Sequence, residues 1–351
     1  MKSQNMKDFD VNKYALVDLH LHLDGSLAMS DMRELAALEG INLPSDDKEL
    51  KDMVVCPKEC EDLPSYLKCF RLPIALLQRY DTIAFAVEHL FLRLEKQGLI
   101  YAEVRFAPQQ HTQLGLTQDK VVQAAIDGLR RAMQQGGEDG IKGNLILSCM
   151  RMEGKDQENM ETIRIAKKYL GQGVCGTDIA GAEALFLLPR YESLFAYARE
   201  LGVPFTIHAG EAAGVENMQT AIKFGTRRIG HGIRAYNDAY TRQLLIEKNI
   251  CLEFCPTSNL QTKALPEVTH MSQYPIQPFL NDGVCVCINT DNMTISDTTL
   301  RDELQMLYDG GCITEEQAAL MVENAINHAF ISDEEKAELR LKAARRMGKE
   351  V

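Results

Sequence analysis

Apolar residues along the chain follow two alternating rhythms. Short runs rich in aliphatic, β-branched and aromatic residues recur at 16–21, 101–106, 145–150, 174–179, 204–208, 228–230, 251–254 and 284–289, each of a length suited to a buried strand. Between them lie longer stretches, 120–135, 159–169 and 191–201 among them, in which apolar residues return every three or four positions, as on the covered face of a helix. Alternation of strand and helix predicts parallel strands joined by crossover helices. Eight such units predict an α/β fold of the closed (β/α)8, or TIM-barrel, kind in preference to an open doubly wound sheet.

Two regions depart from the rhythm. Residues 28–97 are too many for one connection, and their apolar spacing with Pro44, Pro57, Pro64 and Pro73 predicts several helices inserted after the first strand, placed to cover the barrel mouth. Near the other end, Thr314-x-x-Gln317 and Ser332-x-x-Glu335 read as capping boxes that open two extra C-terminal helices. No linker, low-complexity tract or internal repeat divides the chain, so residues 1–351 are expected to form a single barrel domain with its insertion.

Composition narrows the class of partner. Of 351 residues, 45% are apolar and the formal charge is -12, which gives a well-supplied core and a field that repels phosphate backbones. A small-molecule partner is therefore expected, and nucleic acid is not. Residues 1–14 are polar, without the apolar stretch of a leader, and no apolar run reaches the roughly 18 residues of a membrane span; the expectation is a cytoplasmic protein without a membrane partner. Of the ten cysteines, Cys149, Cys175, Cys251, Cys285 and Cys287 fall in core-strand patterns and are expected to be reduced, buried thiols. Neither Cys251-x3-Cys255 nor Cys285-x-Cys287 has the spacing of a structural zinc site.

The candidate chemistry lies where a barrel builds its active site, at the C-terminal ends of the strands. His20, His22, Asp178, His208, His231 and Asp291 all fall at or just past predicted strand ends. The two-residue period of a strand turns His20 and His22 to the same side, and His208 and Asp291 add a nitrogen and an oxygen from two further strands. Three imidazoles and one carboxylate suit zinc and leave room for a water. Just beyond the fifth strand, Gly210 allows a sharp turn that returns Glu211 to the mouth as a general acid or base; Arg228-Ile-Gly-His231-Gly232 presents an imidazole on the next strand in the same way. The fingerprint-like Gly171-x-Gly173-x-x-Gly176 precedes its strand, so it lacks the geometry of a dinucleotide site. His89, His111, His270 and His328 read as packing or surface histidines.

Taken together the motifs resemble the adenosine deaminases among the metal-dependent amidohydrolases. They are His20-Leu-His22-Leu-Asp24-Gly25-Ser26, Tyr101-Ala-Glu103-Val-Arg105, Gly176-Thr-Asp178-Ile-Ala-Gly181-Ala-Glu183, His208-Ala-Gly-Glu211, Gly230-His231-Gly232, Cys255-Pro256-Thr-Ser258-Asn259 and Asn289-Thr-Asp291-Asn292. They occur in the family's order across roughly residues 15–300. The resemblance implies one zinc ion held by His20, His22, His208 and Asp291, and a catalytic set of Glu211, His231 and Asp291. In that set Glu211 donates a proton to purine N1, and His231 orients the attacking water and helps to deprotonate it. It further implies a substrate face made of His22, Asp24, Gly181 and Asn292, with the Gly181 backbone at purine N3 and Asp24 accepting from a ribose hydroxyl. The expected reaction is hydrolytic deamination of adenosine, and of 2'-deoxyadenosine, to inosine-type product and ammonia.

Two particulars bear on substrate and metal count. Many family members carry Asp-Asp where this chain has Asp291-Asn292; the Asn292 amide can donate a hydrogen bond to purine N7 without first acquiring a proton. The fourth strand ends in Asp178-Ile-Ala-Gly181 with no lysine to bridge two metals, so a mononuclear site is expected. The competing readings are an aminohydrolase of another adenine compound (adenine, an N6-substituted adenosine or AMP) and, from a different class, a catalytically silent relative that binds a nucleoside or a partner protein. The second is disfavoured because Glu211, His231 and every implied ligand are present.

Overall fold

Strands form at all eight of the short apolar runs. In the computed structural model, which describes residues 9–346, they are β1 (Leu16–His22), β2 (Leu99–Phe106), β3 (Lys142–Arg151), β4 (Val174–Gly181), β5 (Thr206–Ala209), β6 (Arg228–His231), β7 (Cys251–Phe254) and β8 (Val286–Ile288). The start of the polar segment at 1–14 and the last five residues lie outside the described residues. Neighbouring strands pair in parallel in the orders β1-β2-β3-β4 and β5-β6-β7-β8. Isolated bridges join the two halves: Thr177 meets Phe205 between β4 and β5, and Leu21 meets Asp291 between β1 and the chain leaving β8. The fold is thus the (β/α)8 barrel, and burial of the strands on both faces explains why their sequences run apolar rather than alternating with polar positions.

Several strand ends shift by a few residues from the sequence reading, and at the end of β8 the physical reason is visible. The run at 284–289 predicts a six-residue strand, but β8 ends at Ile288, because the Asn289 side chain replaces backbone in the pairing with β1. Its Oδ1 accepts from Leu19 N at 2.9 Å while its Nδ2 donates to Cys287 O at 3.2 Å.

Between β1 and β2 come α1 (Met29–Glu39), α2 (Asp47–Val54), α3 (Leu63–Tyr66), α4 (Arg71–Ala75) and α5 (Tyr80–Lys96), the helical insertion expected at 28–97. Asp46 and Asp62 accept from backbone N–H groups in the first turns of α2 and α3, and the prolines keep these helices short. The crossover helices follow as α6 (Gln118–Gly136), α7 (Asp156–Tyr169), α8 (Glu192–Glu200), α9 (Val215–Phe224) and α10 (Ala239–Glu247). Then come α11 (Pro256–Gln261), α12 (Gln277–Asp282), α13 (Leu300–Asp309), α14 (Glu315–His328) and α15 (Asp333–Arg346). Both capping boxes close as read: Gln317 N donates to Thr314 Oγ1 at 3.3 Å and Glu335 N to Ser332 Oγ at 3.2 Å, each with the reciprocal bond.

The barrel interior is not wholly apolar. Arg105, Arg228, Glu103, Asp178 and Glu253 are fully buried within it. Arg228 places Nη2 2.6 Å from Glu103 and Nε 2.7 Å from Glu253, with its guanidinium 3.8 Å above the Phe330 ring. Arg105 bridges Glu253 at 2.9 Å and Asp178 at 3.2 Å. Removing one partner from such a network leaves uncompensated buried charge, so Arg228→Met is expected to lower the unfolding free energy by about 3–5 kcal/mol. Urea denaturation of the variant against the parent checks this; a loss within 1 kcal/mol, on the order of a surface substitution, would show that the interior charges contribute little.

Candidate active site

Five titratable side chains converge at the C-terminal ends of the strands: His20 and His22 from β1, His208 from β5, His231 at the end of β6, and Asp291 three residues past β8. All are buried. Donor atoms of His20, His208, His231 and Asp291 lie within 4.8 Å of one another. His22 completes the cluster from the other side, with Nε2 3.4 Å from Asp291 Oδ1 and 3.3 Å from His208 Nε2. His20 Nε2 is also 3.4 Å from Asp291 Oδ1. His231 and Asp291 hold φ of 61° and 58°, left-handed values that non-glycine residues adopt only where the surroundings over-determine them.

The outer partners of the imidazoles decide what the inner atoms can do. His20 Nδ1 lies 2.8 Å from Glu253 Oε2, and His208 Nδ1 lies 2.8 Å from Asp178 Oδ2. Burial alone would raise Asp178 and Glu253; His208 and Arg105 outweigh it for Asp178, as Arg105 and Arg228 do for Glu253, and both stay well below the usual carboxylate range. Each carboxylate therefore accepts a hydrogen bond from the Nδ1–H of its histidine and leaves an Nε2 lone pair aimed inward. Burial also keeps His22 neutral, helped by the neighbouring His208. Ser258 donates to Asp291 Oδ2 at 2.6 Å, which leaves Oδ1 facing the imidazoles. His20 Nε2 has no hydrogen-bond partner although it is buried. Converging lone pairs from imidazole nitrogens and one carboxylate oxygen fit a divalent cation of the zinc type.

Glu211 sits beside this cluster because a second carboxylate shapes its loop. Glu183 accepts from the backbone N–H groups of Gly210 (2.7 Å), Glu211 (3.0 Å), Ala212 (2.7 Å) and Ala213 (3.0 Å), and from Asn217 Nδ2 (2.7 Å). With Gly210 at φ 77° the chain reverses, and the Glu211 carboxyl points back to the mouth. There it accepts from Thr262 Oγ1 at 2.9 Å and lies 3.5 Å from His231 Nε2. Burial, then the charges of Asp291 and Glu183, push the Glu211 carboxyl up to about 8, so it holds its proton near neutral pH. His231 is fixed from behind through Nδ1, 3.0 Å from Asn259 Nδ2, and Asn259 in turn accepts from the Tyr274 hydroxyl at 2.8 Å.

Polar groups without partners mark the rest of the mouth. Asp24 Oδ1 and Asn292 Oδ1 are buried and unbonded, and burial pushes the Asp24 carboxyl up to about 7. Gly181 closes β4. A Cβ on Gly25 would stand 1.8 Å from Asn292 Oδ1, so the absent side chain is what lets Asn292 occupy its place. From the insertion, Tyr66 bonds Ser296 at 2.7 Å and Phe70 sets its ring edge-on to His22 with centroids 6.4 Å apart. A cavity of about 340 Å3 reaches Glu211 and Thr262 past Leu63; a larger one of about 670 Å3, between α6, β3 and α15, touches none of these residues.

Several of these positions carried a signal in the sequence that pattern reading did not use. Glu253 interrupts the apolar strand Cys251-Leu-Glu253-Phe, which marks it as an inward-facing charge. Glu183, Ser258 and Asn259 lie within the family motifs, whose spacing gives no sign of their partners. Tyr66, Phe70, Thr262 and Tyr274 meet the site only through tertiary packing.

Residues 15–345 match the family model described as adenosine deaminase. A protein from Haemophilus ducreyi named adenosine deaminase is 45% identical over 93% of this chain and 95% of its own length. Another so named, from Enterococcus faecalis, is 38% identical over 94% and 96%. Among solved structures, the adenine deaminase from Arthrobacter aurescens superposes with a TM-score of 0.84 at 26% identity, covering 95% of this chain and 98% of that one.

Because Glu183 satisfies four consecutive N–H groups of the Glu211 loop, replacing one of its oxygens with a donor should loosen that loop alone. In Glu183→Gln, amide exchange at residues 210–213 is expected to speed up by about tenfold or more with far-UV dichroism unchanged. Unaltered exchange there would mean that the loop is held by something else.

Proposed function

The chain belongs to the adenosine deaminase family, and from that premise we propose that it hydrolyses adenosine, and 2'-deoxyadenosine, to the 6-oxo nucleoside and ammonia. It is a hydrolytic enzyme of the amidohydrolase class, and residues 1–351 act as one catalytic barrel with its helical insertion. The observation that carries the reading is the buried Glu211 carboxyl, 3.5 Å from His231 Nε2, set beside a buried three-imidazole, one-carboxylate donor set.

His20, His22, His208 and Asp291 would hold one zinc ion, which supplies Lewis acidity that makes water a nucleophile near neutral pH. Every remaining step falls to the side chains. Asp24, with its unpartnered oxygen, accepts from a ribose hydroxyl; the Gly181 backbone meets purine N3, and the Asn292 amide donates to N7. Glu211 gives its proton to N1, which lowers the cost of adding water across the aromatic C6–N1 bond. His231 accepts at Nδ1 from Asn259 and so carries its proton on Nε2, from which it orients the attacking water toward C6 rather than taking the water's proton. His22, with Phe70 against its ring, walls the substrate side. Ammonia leaves C6 once the exocyclic nitrogen is protonated.

A second substrate deserves a test because the Arthrobacter protein, named an adenine deaminase, has so similar a fold. The residue that bears on the choice is Asp24, which in the nucleoside reading meets a ribose. Among the described residues no helix is long and apolar enough to cross a membrane, and all ten cysteines are free. Both features support our placing the enzyme in the cytoplasm, working on a small purine nucleoside.

The primary test is ammonia release from adenosine, 2'-deoxyadenosine, adenine, N6-methyladenosine and AMP. Adenosine is expected to react fastest, and Glu211→Gln is expected to lower kcat by about 10²–10⁴-fold. Preference for another adenine compound would reassign the substrate and keep the mechanism. No turnover of any would favour the silent-binder reading. The pH profile provides a second test. The Glu211 pKa is raised, and the protonated acid is the active form, so activity is present below that pKa and is lost as pH rises through it. A cation in the donor set favours the carboxylate, so the alkaline limb of kcat/KM should fall at or below about 8. That limb should vanish in the residual activity of Glu211→Gln; its persistence would assign it to another group.

A further inference from the structure

On the barrel face opposite the active site, two cysteines and a histidine meet. Cys251 opens β7 and Cys285 stands one residue before β8. Leu252 pairs with Val286, and Leu252 N donates to Cys285 O at 2.9 Å, so the two cysteines are direct neighbours across parallel strands. His328 ends α14, and its donor atoms with both sulfurs lie within 4.8 Å of one another.

The histidine's bonds decide what kind of site this is. His328 Nδ1 lies 3.0 Å from the Asn324 carbonyl oxygen and 3.5 Å from Cys285 Sγ. A carbonyl accepts only, so Nδ1 carries the proton and offers an N–H to the sulfur rather than a lone pair to a metal. The Cys251 sulfur lies within 4.8 Å of that of Cys285, and its thiol donates to the Leu252 carbonyl oxygen at 3.8 Å. Cys285 is also the one partly exposed cysteine of the ten; the other nine are buried. An imidazole N–H and a second thiol beside a partly exposed cysteine favour the thiolate. Its neighbours, Cys251 first and then His328, draw the Cys285 thiol below its ordinary value against burial. Nothing in the deamination chemistry uses these groups.

We propose that Cys285 is a hydroperoxide-reactive thiolate and that Cys251 resolves its oxidised form into a disulfide joining β7 to the entry of β8. The Cys285 sulfur attacks one oxygen of the hydroperoxide; an S–O bond forms, the O–O bond breaks, and the departing oxygen takes a proton and leaves as water or an alcohol. Sulfur is oxidised to the sulfenic acid and the peroxide is reduced. The Cys251 sulfur then attacks that of Cys285; the S–S bond forms, the S–O bond breaks, and hydroxide leaves with the Cys251 proton as water.

The test uses the full-length, metal-loaded protein. Under native conditions with limiting iodoacetamide, peptide mapping is expected to find Cys285 labelled ahead of the other nine cysteines. Its rate should level off above about pH 7, whereas an ordinary thiol keeps accelerating to about 8.5 or beyond. In His328→Gln the rate at pH 7 should fall by about tenfold and its plateau should move to higher pH. One equivalent of hydrogen peroxide should yield a Cys251–Cys285 linked peptide, with an intact-mass loss of about 2 Da. In Cys251→Ala the link is absent and dimedone traps a sulfenic acid on Cys285; if that variant does not fold, the linked peptide from the parent chain decides the matter. Even labelling of the cysteines, a rate that climbs like that of an ordinary thiol, or peroxide oxidation without the 251–285 link would overturn the proposal. So would a second tightly held metal ion per chain that Cys285→Ser releases.

Discussion

Glu253 accepts from four side chains: His20 Nδ1 at 2.8 Å and Arg105 Nη2 at 2.9 Å on one oxygen, Arg228 Nε at 2.7 Å and Thr206 Oγ1 at 2.9 Å on the other. A carboxylate and two guanidinium groups removed from water are tolerated when their charges are matched to one another. The matching fixes strands β1, β2, β5, β6 and β7 relative to one another from inside the barrel. It also fixes which nitrogen of His20 is free. A packed aliphatic layer could supply equal stability, but it could not choose a tautomer. The interior charges therefore tie the frame of the barrel to the electronic state of its active site.

The same logic repeats outward with different parts. Asp178 does for His208 what Glu253 does for His20, and both answer to Arg105. Asn259, braced by Tyr274, holds His231 at Nδ1. Glu183 acts on backbone, gathering successive N–H groups of the loop so that Glu211 turns inward, where surrounding negative charge and low polarity keep it an acid. The left-handed backbone of His231 and Asp291 shows where the frame forces residues away from their preferred conformations. Those two residues are next to the reacting centre, where small displacements matter most.

The fold was largely legible because strand length and helical period are local properties, and a closed barrel repeats them eight times. The early end of β8 was not legible, since it depends on the Asn289 side chain standing in for backbone across a sequence separation of some 270 residues. Within the site, the side chains that meet at the mouth could be read from their places at strand ends. What holds them could not: Asp178 stood at a predicted strand end without a role, and only its contact with His208 and Arg105 shows it to be an orienting group. The Phe70 and Tyr66 contacts depend on how the inserted helices fold back, which no short-range pattern records. His328 read as an ordinary packing residue because its partners come from two strands far away in the chain.

Gly25 and Asn292 occupy one space between them, the amide of the second filling the volume a β-carbon on the first would need. The two positions are consequently coupled sterically. Position 292 can trade amide for carboxylate, which have the same outline, while any side chain at position 25 would collide with it. Variation at this wall of the pocket is thus channelled into charge and hydrogen-bond polarity rather than size. Relatives would be expected to diverge here in what they ask of the purine ring's edge, and not in how large a base they admit.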